Sequence, residues 1–150
     1  MVAPDIEIRI ARMSDAEAIA CLSDQLGYPT SIRQSECRLA AVLSSRDHAV
    51  FVACLHAMVV GWVHVFWAQR IESDPFAEIG GFVVAESHRR CGIGRRLLAV
   101  AEEWALESGF KKLRVRSRSN RNDARRFYEN LGFAMYKEQR VFDKPLKNSV

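Results

Sequence analysis

The run Arg89-Arg90-Cys91-Gly92-Ile93-Gly94-Arg95-Arg96 comes a few residues after the apolar stretch Phe82-Val83-Val84. That order describes a strand, a glycine-bearing turn and a helix beginning near Gly94. The first amides of a helix have no carbonyl partner and carry partial positive charge, so they receive phosphate oxygens. Guanidinium groups at both ends of the turn add positive potential. A loop this short offers one compact anion cradle, which suits a diphosphate-bearing cofactor better than an extended nucleic-acid backbone. It lacks the Gly-Lys-Ser/Thr ending of a nucleoside-triphosphate loop, and no serine elbow is present.

Other residues could supply acid–base chemistry. Alternation along Phe76–Val84 sets Glu78, Gly80, Phe82 and Val84 on one face and Ala77, Ile79, Gly81 and Val83 on the other. Glu78 could take a proton from an ammonium group, or could be an edge residue or an ion-pair partner. Gly80-Gly81 inside a strand marks a bulge or a space for ligand approach. Asn120 can donate and accept at once, or cap a loop. Tyr128 can donate a proton or simply pack. His64 shares strand parity with Trp62 and Phe66, as a pocket lining or a packing residue. The histidines show no ligand spacing and Cys21, Cys37, Cys54 and Cys91 form no Cys-x-x-Cys pair, so reduced thiols and no metal are expected.

The elements that must position these groups are legible from periodicity. Ile6, Ile8 and Ile10 alternate as a strand. Ser14 with Glu17 can box the start of a helix running to about Leu26, stopped by Gly27 and Pro29. Ser31 and Gln34 repeat the device for a second helix carrying Ile32, Leu39, Val42 and Leu43. Residues 49–55 and 59–67 read as a hairpin joined by His56-Ala57. A strand over Phe76–Val84 precedes the cradle helix, whose Leu97, Leu98, Ala101, Trp104 and Ala105 share one face and which Gly109 ends. Leu113 and Val115 mark a further strand, Asp123 can cap a short helix, and residues 133–142 read as a final extended region. The expected class is α/β (α+β), a mixed, mostly antiparallel sheet flanked by helices.

With 150 residues the chain suffices for one domain with a real core, and a single domain over 1–150 is expected. Hydrophobic residues are 49% and charged ones 27%, the balance of a globular domain rather than a disordered one. The net charge of +4 and pI near 9.1 favour an anionic ligand without establishing nucleic-acid binding. The basic run Lys111–Arg118 puts Lys112, Arg114, Arg116 and Arg118 opposite Leu113 and Val115, a solvated or cofactor-facing strand face. Zinc-finger spacing and the paired aromatics of an RNA-binding sheet are absent, so no nucleic-acid partner is expected. No apolar run reaches spanning length, and Asp5, Glu7, Asp15 and Glu17 interrupt the first twenty or so residues. The expectation is a cytoplasmic protein with no membrane partner.

Arg89, Gly92 and Gly94 fit the acyl-coenzyme-A-binding signature of the GNAT (GCN5-related) N-acetyltransferases. Phe76-Ala77-Glu78-Ile79, Asn120, Ala124-Arg125-Arg126-Phe127-Tyr128 and Leu131-Gly132-Phe133 resemble the family's other central and carboxy-terminal elements in order. The resemblance implies a GNAT fold and acetyl-CoA as cosubstrate. It implies that Phe82, Val83 and Val84 pair with the pantetheine arm and that Asn120 steadies it. The pyrophosphate would lie on Arg89, Arg90, Cys91, Gly92, Ile93, Gly94, Arg95 and Arg96, with Arg89 and Arg95 in direct contact. Glu78 would be the base, and Tyr128, beside the thiol, the acid. Acetyl transfer to a small primary amine leads, ahead of a protein or peptide amine and of a noncatalytic acyl-CoA sensor. Asp24, Glu36, Asp74 and Glu78 would attract the amine if they converged, and a homodimer is implied.

Overall fold

A computed structural model describes residues 5–118 and 122–147. They fall into two compact units, Met1–Arg116 and Ser117–Val150. The first is built on a sheet ordered β1 (Ile6–Ile10), β2 (His48–Leu55), β3 (Met58–Ala68), β4 (Phe76–Val84) and β5 (Leu113–Arg114). The first four strands are antiparallel to their neighbours, whereas β5 joins β4 in parallel. A parallel neighbour demands a crossover, supplied by α3 (Ile93–Glu107). Helices α1 (Ala16–Gln25) and α2 (Ile32–Leu43) connect β1 to β2. The mixed α/β sheet expected from the sequence is the one observed.

Local chemistry explains most boundaries. His56 and Ala57 both adopt positive φ, 50° and 65°, the left-handed two-residue turn whose twist matches a hairpin. Ser31 accepts from the Gln34 amide while Gln34 accepts from the Ser31 amide, both at 3.0 Å, completing the expected box of α2. At α1 the expected Ser14–Glu17 box does not form. A short 3₁₀ turn over Met13–Asp15 leads into the helix instead, and Asp15 is the residue that organises it. Its carboxylate takes the Arg12 amide at 2.7 Å and both terminal nitrogens of Arg9 at 2.8 Å. Those bonds from Arg9 hold the Asp15 carboxyl below its ordinary pKa against its burial.

Two apolar layers enclose the sheet. A side chain at Gly61 would meet Leu97 and Ile93, so β3 positions 61, 63 and 65 face α3. The neighbouring positions 62, 64 and 66 face the other way, where Ala16 of α1 and Leu39 of α2 cluster with Val50, Val52 and Trp62. Leu97 and Ala101 of α3 and Val63 and Val65 of β3 are fully buried. The four cysteines are free thiols, Cys54 alone buried. Among the described residues no helix is long and apolar enough to cross a membrane.

The second unit contains α4 (Asn122–Asn130), with Asp123 inside its first turn rather than at its cap. Gly132, at φ 95°, lets the chain fold back so that the Phe133 amide reaches the Tyr128 carbonyl at 3.0 Å. The final extended region expected over 133–142 carries no strand in this structure. Alternating apolar residues supply one face of a strand but not the partner backbone that a ladder requires, and Tyr136, Val141 and Phe142 are exposed.

Leu97→Ala should lower the urea unfolding free energy by about 3 kcal/mol with an unchanged m-value, because the vacated volume lies in the dense α3–sheet layer.

Candidate active site

The glycine turn and the helix predicted from the arginine–glycine run are present, the helix starting at Ile93. Gly92 is the cap residue, at φ 82° and ψ 4°, a left-handed conformation that a side chain would strain even though space around it is open. The first bond into the helix runs from the Arg96 amide to the Gly92 carbonyl at 3.2 Å. The amides of Ile93, Gly94 and Arg95 therefore precede any intrahelical partner, the arrangement in which helix starts receive anions. Arg95 is exposed beside them. Arg96 is placed differently: its guanidinium donates to the Ile6 carbonyl at 2.6 Å, tying the start of α3 to β1. Arg89 donates weakly to the Val84 carbonyl at 3.4 Å. Arg90, at φ 64°, and Cys91 are exposed on the turn.

Beside this cradle the sheet comes apart. The β4–β5 ladder comprises Ala77 with Leu113 and Glu78 with Arg114, and β4 continues to Val84 with no further β5 pairing among the described residues. The Ala85 amide bonds Val60 on the β3 side at 2.7 Å, so the preceding Val84, and Phe82 before it, turn their backbone groups toward the opening. Such a gap fits a linear ligand with amide groups along its length.

The expected strand parity needs correction. Ile79 pairs with Val65 but Gly81 with His64, leaving Gly80 as an extra residue. This bulge reverses the alternation beyond it. Glu78, Gly80 and Gly81 thus share the face of His64 and Trp62, and Val83 joins them. Phe82 and Val84 lie on the α3 face with Ile79. Both glycines are required by close approach: a side chain at Gly80 would sit 2.5 Å from His64 Nδ1, and one at Gly81 2.5 Å from Trp62.

Glu78 is buried, and Arg116 donates to its Oε1 at 3.2 Å. Next to it lies a group that sequence reasoning missed. His48 Nδ1 and His64 Nε2 are 2.9 Å apart, so one ring must donate to the other, and both stack near Phe66 with centroids 5.1 to 5.6 Å apart. Burial, reinforced by the charge of His48, pulls the His64 pKa down to about 4. The pair was hidden because a second bulge, at Ala53/Cys54, moves His48 opposite Phe66 instead of Val65. Asp24 accepts from the Thr30 amide at 2.8 Å, and Glu78 is held by Arg116. Among the described residues no group of three or more histidines, cysteines or acids could hold a metal ion.

In the second unit Tyr128 packs edge-on against Phe127 and Phe133, at 5.3 and 5.7 Å. Burial raises the pKa of its phenol, keeping the proton in place. Asn120 lies outside the described residues.

A helix start whose first amides have no intrahelical partner, following a strand that loses one neighbour partway along, sets the terms for comparison with known proteins. The sequence profile of the Acetyltransferase (GNAT) family matches residues 15–133. The chain belongs to that family. It is an acetyl-CoA-dependent N-acetyltransferase. An aminoglycoside N(6')-acetyltransferase type 1 of Stenotrophomonas maltophilia is 30% identical over 155 aligned positions, covering 99% of both chains. A solved transcriptional regulator from Bacillus halodurans C-125 superposes with TM-score 0.81 at 26% identity, covering 93% of this GNAT chain and 99% of its own. The fold is also that of the aminoglycoside N-acetyltransferase AAC(6')-Iy in complex with CoA, with TM-score 0.84, 18% identity and coverage of 95% and 97%.

The His64 shift fixes the sign of a pH effect in this acetyltransferase. Its folded pKa of about 4 lies below the ordinary 6.5, so between those values the unfolded chain binds more protons. Stability should fall by about 1–2 kcal/mol, discounted for partial exposure, as pH drops from 6.5 to 4. His64→Gln should flatten that segment of a thermal-unfolding pH profile.

Proposed function

We propose that this enzyme transfers the acetyl group of acetyl-CoA to the primary amine of a small molecule. The observation that carries the reading is that the β4–β5 ladder ends at Glu78 while β4 runs on to Val84, the end of the strand that leads into the glycine-capped first turn of α3. The kinship with an aminoglycoside N(6')-acetyltransferase across the whole chain supports a small acceptor over a protein one.

In this reading the backbone of Phe82, Val83 and Val84 pairs with the pantetheine arm, and Asn120 holds it farther along. The amides of Cys91, Gly92, Ile93, Gly94 and Arg95 receive the pyrophosphate, with the guanidinium groups of Arg89 and Arg95 beside it. Arg90 and Arg96 add long-range charge, the latter because its side chain is engaged with Ile6. When bound, the cosubstrate supplies a thioester carbonyl. Holding that carbonyl against the amine converts a bimolecular encounter into an intramolecular one. Glu78 accepts the amine's proton directly or through water, and the amine nitrogen bonds to the carbonyl carbon. As the carbon–sulfur bond breaks, Tyr128 gives its proton to the sulfur. The raised phenol pKa supports a group that is protonated when needed. We place the enzyme in the cytoplasm as a homodimer.

Thiol release on a panel of primary amines, with acetylated product confirmed by mass, tests the reading; amine-independent release alone would refute it. Tyr128→Phe should lower kcat by roughly 100-fold while leaving acetyl-CoA affinity nearly unchanged, measured by steady-state kinetics and calorimetry. An unchanged kcat would remove the acid role.

A further inference from the structure

The strand face that leads to Glu78 carries charges that the transfer step does not use. Phe76 pairs with Ala68 and Glu78 with Phe66, so Phe76 and Glu78 share the face on which His64 lies. The register of β5 sets Arg114 opposite Glu78, with Lys112 two positions earlier on the same side. The Arg114 guanidinium and the Lys112 ammonium each lie 4.4 Å from the centre of the Phe76 ring, and the Arg70 guanidinium lies 5.5 Å away. The ring beneath them is only 1% exposed. Its quadrupole gathers cations without cancelling their charge. Among the described residues neither Arg70 nor Lys112 has a carboxylate within ion-pair distance, and Glu78 is engaged by Arg116.

We infer that the acceptor is an amine that also bears an anionic group, a carboxylate or a phosphate, and that Arg70 and Lys112 select it. The anion sits over the Phe76 edge while the amine reaches Glu78 at the β4–β5 opening. Two strand positions separate these points, which fixes a spacing of roughly 7 Å between amine and anion. A polycationic acceptor meets like charges on this face. The inference deepens the acetyl-transfer reading and rests on it.

The test compares kcat/KM for acceptors of matched length, with acetyl-CoA and the full chain: hexylamine, 6-aminohexanoate, 5-aminopentyl phosphate and 1,6-diaminohexane. An anionic acceptor should exceed hexylamine on the order of tenfold and the diamine by more, with the advantage shrinking as salt is added. Whether the carboxylate or the phosphate leads identifies the anion. Replacing both cations, Arg70→Glu with Lys112→Glu, should invert the order in favour of the diamine. Because each ratio is taken within one protein, a general loss of activity does not disturb it. Product formation with hexylamine or the diamine at least as good as the anionic pair, or an order unmoved by charge reversal, overturns the inference alone. No product from any amine, with acetyl-CoA binding intact by calorimetry, overturns the transfer reading and the inference together.

Discussion

Backbone pairing that stops early is the constraint behind this acetyltransferase. β4 keeps β3 along its length yet loses β5 after Glu78. A strand edge that has lost its neighbouring strand can pair with a ligand that carries its own amides. The bulge at Gly80 lies just past the point of separation. By adding a residue without lengthening the partner strand, it turns Gly81 and Val83 toward the helix-pair face and Phe82 and Val84 toward α3. Bulky residues at Gly80 or Gly81 would collide with His64 or Trp62, so the bulge depends on hydrogen at both positions.

The cradle is held to the same frame. Arg96 ties the first turn of α3 to the Ile6 carbonyl, while Arg9, on the same strand as Ile6, locks Asp15 at the entrance to α1. A single short strand therefore fixes the beginnings of two helices on opposite faces of the sheet. The preceding glycine lets the chain enter α3 without spending the amides of Ile93, Gly94 and Arg95. Rigid placement of those amides suits phosphate recognition, since the donors need no reorganisation on binding. Charge is distributed unevenly over this frame. The α3 end is positive from backbone dipoles as well as arginines, and the edge over Phe76 is positive from side chains alone.

Where a residue's own conformational preference decides the outcome, the sequence is readable. Gly27, Gly92 and Gly109 all take positive φ at helix ends where glycine was expected to stop or start a helix, and the Ser31–Gln34 box forms as its spacing implies. Phe76–Val84 is a strand with the expected limits. Failures arise where pairing geometry decides. Simple alternation cannot locate a bulge, so the face of Phe82 and Val84 was misplaced and the His48–His64 contact was invisible. The Ser14 cap lost to Asp15 because an ion pair with Arg9, distant in pattern though near in sequence, outcompetes a lone hydroxyl. The glycine doublet within a strand is the signal that would have directed attention there.

Backbone amide NMR during titration with CoA tests the central claim most directly. The account predicts that the amides of Gly92, Ile93, Gly94 and Arg95 move together with those of Phe82 to Val84, while Glu7 to Arg9 on the far edge of the sheet stay still. Shifts confined to the basic stretch Lys112–Arg118, with the first turn of α3 unmoved at saturation, would contradict it.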